Sequence, residues 1–147
     1  CSASGWCLEE KFDHSLGDIH TPVPGLNDTL APSIDRFFAH LKPEHPVCRY
    51  NWSLQAGNAL NRRPVAGESR RTNGDIHYRV ERQTLVRLPR TGAIAFTIRV
   101  YLHPLASREE YAMAALLDAV KNTPAELARY KGFPDLEPAL ERYRGKP

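Results

Sequence analysis

The sequence predicts an α+β fold, in which helices are grouped apart from a small antiparallel sheet. Two runs with strict two-residue alternation, residues 78–88 and 94–102, flank a turn at residues 89–92. Apolar residues recur at helical spacing over residues 29–41, and three short helical patterns follow one another after residue 107. At 147 residues the chain is long enough for one domain that buries roughly two-thirds of its chain surface.

One main helix is predicted before the first strand. Residues 8–16 could add one or two helical turns. Two prolines then predict an irregular, extended segment over residues 18–25, because each proline restricts the residue before it. The helix over residues 29–41 carries its apolar side chains on one face. These side chains are Leu30, Ile34, Phe37, Phe38 and Leu41.

The first strand is predicted over residues 47–55, where polar and apolar side chains alternate. Its expected core face holds Cys48, Tyr50, Trp52 and Leu54. Residues 56–76 follow as a loop rich in Gly, Asn, Arg and Pro. A loop of this length in a compact domain is typically functional or mobile.

The hairpin over residues 78–105 carries the clearest pattern. Even-numbered positions are mostly apolar in both runs, which predicts two half-buried antiparallel strands with that set in the core. The set is Tyr78, Val80, Thr84, Val86 and Leu88, then Ile94, Phe96, Ile98, Val100 and Leu102. Arg82 breaks this pattern. Its guanidinium stays charged, so it must reach water, the carboxylate of a ligand, Glu81 or Asp75.

Three helices are predicted after the hairpin. Capping-box patterns at residues 107–110 and 123–126 predict where the first two begin. The first should run to about Asn122, and the second should stop near residues 131–132. A last helix is predicted from Asp135 to Arg144, with Leu136, Leu140 and Tyr143 on its apolar face.

Charge and cysteine content exclude several classes of protein. The formal charge is +3, with Lys and Arg dispersed among acids, so no nucleic-acid partner is expected. Cys1, Cys7 and Cys48 are odd in number and lack CxxC spacing, which argues against a disulfide framework and a structural zinc site. A reducing, cytoplasmic setting is expected. No apolar run approaches a membrane helix, so no membrane partner is expected.

Few single residues indicate chemistry by themselves. No phosphate-binding loop and no hydrolase or zinc-protease motif is present. Cys48 is expected to be a buried structural thiol. His20, on the proline-stiffened segment, could be an axial ligand for iron or a loop histidine bonded to a carbonyl. The residues alone leave both readings open.

Three segments nevertheless carry a specific resemblance. "IHTPVPG", "RYNWSLQ" and "RVERQTLVRLPRTGA" followed by "FTIR" resemble the haem-dependent oxidative N-demethylases, the haem-binding subunit of dimethylamine monooxygenase and its relatives. The opening "CSASGWCLEEKF" and the later "YKGF" fit as well, so the resemblance covers nearly the whole chain.

The resemblance implies a PAS-like fold that binds haem b, with a protein side chain as a ligand of the haem iron. Residues 1–147 would be a single domain, the C-terminal part of that PAS-like domain without its upstream strands. The implied reaction is oxidation of a small secondary amine with dioxygen, which yields a primary amine and formaldehyde. Electrons would come from NADPH through a reductase subunit that carries FMN and an iron–sulfur cluster. The alternative is a haem-binding sensor or carrier without turnover.

The resemblance also implies roles for single residues. His20 in "IHTPVP" becomes the candidate proximal ligand of the iron. Arg49, Arg79 and Arg82 become candidates for the haem propionates, since arginine pairs with carboxylates through two parallel hydrogen bonds. Glu81 would attract the protonated amine, although strand alternation points it away from Arg82.

Overall fold

A computed structural model describes residues 9, 11–21, 23–60 and 75–144 of the chain. Two helices precede a three-stranded sheet and three helices follow it, which confirms the predicted α+β class. The elements are α1 (Leu16–His20), α2 (Leu26–His40), β1 (Val47–Ala56), β2 (Ile76–Arg87), β3 (Ile94–Pro104), α3 (Glu110–Lys121), α4 (Ala125–Tyr130) and α5 (Phe133–Leu140).

The three strands lie in the order in which they occur in the chain, with β2 in the centre. The hairpin between β2 and β3 closes where the Leu88 amide donates to the Ala93 carbonyl at 2.8 Å. Gly92 lies in that turn with φ 71°, a left-handed conformation that glycine adopts without strain. Counting from this bond places the odd residues of β2 beside the even residues of β3.

The sheet therefore has two faces that are named here after β2. The Arg79 face holds the odd residues of β1 and β2 and the even residues of β3. The Arg82 face holds the opposite set. Side-chain hydrogen bonds between β1 and β2 agree with this assignment. Arg49 bonds to Gln83 and Arg79 bonds to Gln55, and both pairs join odd residues on the Arg79 face.

The chain divides into two compact units, and each takes part of every strand. In the described residues, the helical unit comprises 52–60, 75–79 and 102–144. The hairpin unit comprises 9–51, except 10 and 22, together with 80–101.

The helical unit contains a hydrophobic core. The Trp52 ring stacks on Phe133 with their centroids 5.7 Å apart. The Lys131 ammonium lies 4.6 Å from the Trp52 ring centroid and donates to the Trp52 carbonyl at 2.6 Å. The buried members of the core are Leu54, Ile76, Leu105, Val120, Phe133, Leu136, Ala139 and Leu140. These contacts hold the C-terminal helices on the strand residues of this unit.

The hairpin unit buries far less apolar surface. Among the side chains that the structure describes, its buried apolar residues are Leu41 and Leu85. Many of its large apolar side chains are exposed instead: Phe12, Leu16, Phe37, Tyr50, Leu88, Phe96 and Ile98. This unit therefore offers apolar surface to another molecule.

Arg87 joins the hairpin to helix α2. Its Nε donates to the Leu41 carbonyl at 2.7 Å, and one Nη donates to the Gly92 carbonyl at 2.7 Å. The other Nη donates to the Phe38 carbonyl. One guanidinium thus binds carbonyls at the end of α2, where the Phe38 carbonyl also accepts from the Leu41 amide at 3.4 Å, and fixes the turn.

The predicted burial of the strands was wrong in part. Leu54 is buried, but Cys48 is exposed and Tyr50 is 68% exposed. In β2 the polar, odd-numbered set is the more deeply buried, with Arg79 at 1% and Gln83 at 5% exposure. Alternation shows which residues share a face, but it does not show which face is covered.

The helix starts were also predicted imperfectly. Residues 16–20 form α1 where irregular chain was expected, while residues 11–13 form a turn. α2 begins three residues earlier than predicted, at Leu26. Residues 61–74 of the predicted loop, with Cys1 and Cys7, lie outside the described residues.

Neither predicted capping box forms. The Ser107 hydroxyl donates to the Pro104 carbonyl within a 3₁₀ turn, and α3 begins later, at Glu110. The Thr123 hydroxyl donates back to the Ala119 carbonyl. In both places the hydroxyl finds a nearer acceptor in the preceding turn. The last helix begins at Phe133 and passes into a 3₁₀ turn after Leu140.

No helix in the described part of the chain has both the length and the apolar character needed to cross a membrane.

Replacing Arg87 with lysine should loosen the hairpin unit locally. A lysine cannot donate to three carbonyls in a fixed fork, and a hydrogen bond from a charged group contributes about 1.5–3 kcal/mol. We expect the amides of Leu41 and Gly92 to exchange with deuterium at least about tenfold faster. The amides of α5 should be unaffected, as should all amides in the Arg90→Lys control. Equal exchange in both variants would contradict the role of Arg87.

Candidate functional site

His20 is the last residue of α1, so its expected place on a rigid extended loop was wrong. A capping box holds this helix: the Asp18 amide donates to Ser15 Oγ at 3.2 Å, and the Ser15 hydroxyl donates to Asp18 Oδ2 at 2.6 Å. The Ser15 hydroxyl also lowers the pKa of the Asp18 carboxyl. The nearby prolines follow His20 in the chain, so they do not prevent the helix before it.

The His20 imidazole is oriented by its own helix. Its Nδ1 lies 2.8 Å from the Leu16 carbonyl. Because a carbonyl can only accept, Nδ1 carries the proton and Nε2 keeps the lone pair that a metal ligand needs. His40 makes the same bond to the Arg36 carbonyl, also at 2.8 Å, at the end of α2. The bond therefore permits ligation by His20 without distinguishing it from His40.

A second group lies on the Arg79 face of the hairpin unit. Arg49 Nε donates to Gln83 Oε1 at 2.6 Å, and Gln83 Nε2 donates to Glu81 Oε2 at 3.0 Å. The buried amide of Gln83 is thus satisfied at both ends, which fixes its orientation. This Arg49–Gln83–Glu81 chain holds a cation and a carboxylate on one face without pairing them directly.

An apolar strip accompanies this chain on the same face. It consists of Phe96 and Ile98 of β3, which are 47% and 40% exposed. The hairpin register places both on the side of Gln83. Both belong to the apolar set of the strands that were predicted to be half-buried, and in the described structure they are substantially exposed.

Each of these groups separately has chemistry that one part of haem b could use, and His20 itself bonds within α1. The apolar strip suits the flat macrocycle, Arg49 suits a propionate, and the Nε2 lone pair of His20 suits the iron. Among the described residues, no group of three or more His, Cys, Asp or Glu side chains is arranged to hold a metal ion. A haem iron needs only one such ligand from the protein, because the macrocycle supplies four nitrogens.

Arg82 lies on the opposite face. Its guanidinium is hydrogen-bonded to the Cys48 side chain, and that bond, with the electrostatic effects of Cys48, Tyr50 and Tyr101, raises the pKa of Arg82. The hairpin register therefore puts the apolar strip of β3 on one face and Arg82 on the other. Cys48, expected to be buried, is an exposed neighbour of Arg82.

Arg79 belongs to the helical unit. It is almost fully buried, and one Nη donates to Gln55 Oε1 at 3.1 Å. Gln55 in turn donates to the Gly57 and Ala59 carbonyls. His77, two residues before Arg79, is also buried, and its Nδ1 has no hydrogen-bond partner among the described residues.

Sequence reasoning missed several of these residues. The Ser15–Asp18 capping box has the S-x-x-[DE] pattern and could have been found. Gln83 gave no signal, because a polar residue in the polar register of a strand is normally exposed. The burial of His77 was hidden for the same reason.

Comparison with known protein families gives a match over nearly the whole chain. The family model described as haem-dependent oxidative N-demethylase, alpha subunit-like, matches residues 1–141 of the 147-residue chain. That description names dependence on haem, oxidative N-demethylation and one subunit of a larger enzyme. Because the match extends over nearly the full length, the chain belongs to the haem-dependent oxidative N-demethylase alpha subunit-like family.

Proposed function

We propose that this chain is the haem-binding part of a monooxygenase that demethylates a small secondary amine such as dimethylamine. The observation that carries this proposal is the hairpin unit, where an exposed apolar strip and the Arg49–Gln83–Glu81 chain share one face. A cytoplasmic enzyme is expected from the cysteine content. Family membership supports haem and N-demethylation, while the amine and the electron donors are part of the proposal.

The overall reaction fixes what the partners must supply. One oxygen atom of dioxygen ends in formaldehyde and the other in water, and the amine leaves as the primary amine. The balance requires two electrons and two protons beyond those of the amine. NADPH provides the two electrons and one proton as a hydride, and the solvent provides the other proton. A reductase subunit with FMN and an iron–sulfur cluster would deliver those electrons singly.

Haem, when bound, supplies the activation of dioxygen and the oxidation of the amine. The protein's part is ligation and orientation. His20 would ligate the iron through Nε2, with its tautomer fixed by the Leu16 carbonyl. Arg49 would hold a propionate with the guanidinium donors that remain beyond its bond to Gln83. Arg79 and Arg82 remain weaker candidates, since Arg79 lies in the helical unit and Arg82 on the other face.

Glu81 would position the substrate. Its carboxylate accepts from the Gln83 amide at 3.0 Å, which fixes the position of the carboxylate on this face. A dialkylamine is protonated in neutral water, and a partly buried carboxylate attracts such a cation more strongly than an exposed one does. Glu81 is half-buried, which suits this role.

The central test uses the purified full-length protein with NADPH and a flavin/iron–sulfur reductase. We expect a Soret absorbance band and the release of one formaldehyde for each NADPH consumed when dimethylamine is added. A Soret band without formaldehyde, for any small secondary amine supplied, would favour the sensor or carrier alternative. A protein that shows no Soret band after reconstitution with haem would contradict both.

His20→Ala should alter haem binding, because the iron loses its protein ligand. We expect a shifted or much weaker Soret band and faster loss of haem to apomyoglobin. His40→Ala is the matched control, since His40 makes the same helix-end hydrogen bond. If the two variants have the same spectrum as the parent, His20 is not the ligand.

Glu81→Gln should weaken amine binding while the haem remains in place. Removing one charge at a half-buried site should raise the KM for dimethylamine about tenfold, which corresponds to about 1.4 kcal/mol. The Soret band should not change. Glu44→Gln, at an exposed loop position of the same unit, should leave the KM as it is. An unchanged KM for Glu81→Gln would remove Glu81 from the site.

A further inference from the structure

The Arg82 face of the hairpin unit carries an exposed cluster of two arginines and two tyrosines. The strand register places Arg82 beside Arg99, on the face that also holds Cys48, Tyr50 and Tyr101. Arg99 lies over the Tyr101 ring, with its guanidinium carbon 5.2 Å from the centroid. Arg82 and Arg99 are exposed, and so is most of Tyr50.

The charge on this face has one sign. The face comprises even residues of β1 and β2 and odd residues of β3, between positions 48 and 101. Over these described positions no residue is Asp or Glu, and the nearest acid on β2, Glu81, points to the other face. A flat surface with guanidinium groups and no carboxylate complements a carboxylate-rich surface.

One of the two arginines is also held in place before any partner binds. Arg99 is held by the Tyr101 ring, which reduces the rotamer freedom that it would lose on binding. Arginine offers paired donors that match a carboxylate, and tyrosine and arginine are the residues that carry binding energy in many protein interfaces.

We infer that this face binds the carboxylate-rich surface of another protein subunit. A nucleic acid fits less well, because phosphate-backbone binding relies on several cations together and the face has two. The inference rests on the proposed function only in expecting a partner subunit. Binding on this face requires neither haem nor turnover, so its test can fail while the proposed function stands, and the reverse.

The test uses the full chain, labelled with nitrogen-15 and titrated with a capped oligoglutamate peptide as the probe. We expect amide shifts centred on Tyr50, Arg82, Arg99 and Tyr101, and affinity that falls as salt is added. The double variant R82E/R99E should lose at least about tenfold in affinity, or about 1.4 kcal/mol. The double variant R36E/R90E makes the same charge change at exposed positions of the same unit and should keep its affinity within about twofold.

Three outcomes would overturn the inference. Equal losses in the two double variants would mean that the probe senses net charge alone. Shifts centred elsewhere would place the binding surface on another part of the chain. Tighter binding of single-stranded oligothymidylate than of oligoglutamate at this face would identify it as a nucleic-acid surface instead.

Discussion

The two-residue alternation of strand β2 is the constraint on which the rest of the structure depends. β2 is the central strand, so each of its side chains must lie on one of two faces that have different surroundings. Glu81, Gln83 and Arg87 fall on one face, and Arg82 falls on the other. A residue in this strand cannot change face without a slip that moves all of its neighbours. The alternation of this strand therefore keeps the Arg49–Gln83–Glu81 chain on one face and the cluster of Arg82, Arg99, Tyr50 and Tyr101 on the other.

The two units differ in how much of their apolar surface they bury. The helical unit packs aromatic and aliphatic side chains into a core, with Phe133 stacked on Trp52. The hairpin unit relies on Arg87 and Gln83, which join its parts through hydrogen bonds, and leaves Phe96 and Ile98 substantially exposed. Full burial of such a side chain contributes about 1.5–3 kcal/mol, so a flat apolar ligand that covers both would gain about half of that from each. A ligand of this kind would therefore complete the burial of apolar side chains in the hairpin unit.

The sequence was sufficient to place the elements with a strong hydrophobic period. It was insufficient to show which strand face other segments pack over. The hairpin, α2 and the C-terminal helices were all placed correctly to within a few residues, because periodicity is a property of the segment itself. The burial of Gln83 and the exposure of Cys48 depend on which other segment packs over each face, and no local pattern records this. α1 was missed because the prolines after it were given more weight than the Ser15–Asp18 pair that caps it. The capping boxes at Ser107 and Thr123 show the opposite error, a correct pattern whose hydroxyl bonds elsewhere.

The position of Arg82 shows how a structure can change the interpretation of a motif. In the sequence, Arg82 was the exception in an apolar register, and its charge required water or an anion. The structure exposes Arg82 to water and places it with Arg99 and Tyr101 on the face away from the apolar strip. An exposed guanidinium that lies on one face with Tyr50 and Tyr101 is suited to an anion that arrives from outside the chain. Side chains on opposite faces share only the backbone of the sheet. The charge at Arg82 can therefore be changed while the Arg49–Gln83–Glu81 chain stays intact. This makes the proposed binding of a partner subunit separable from the proposed binding of haem and amine.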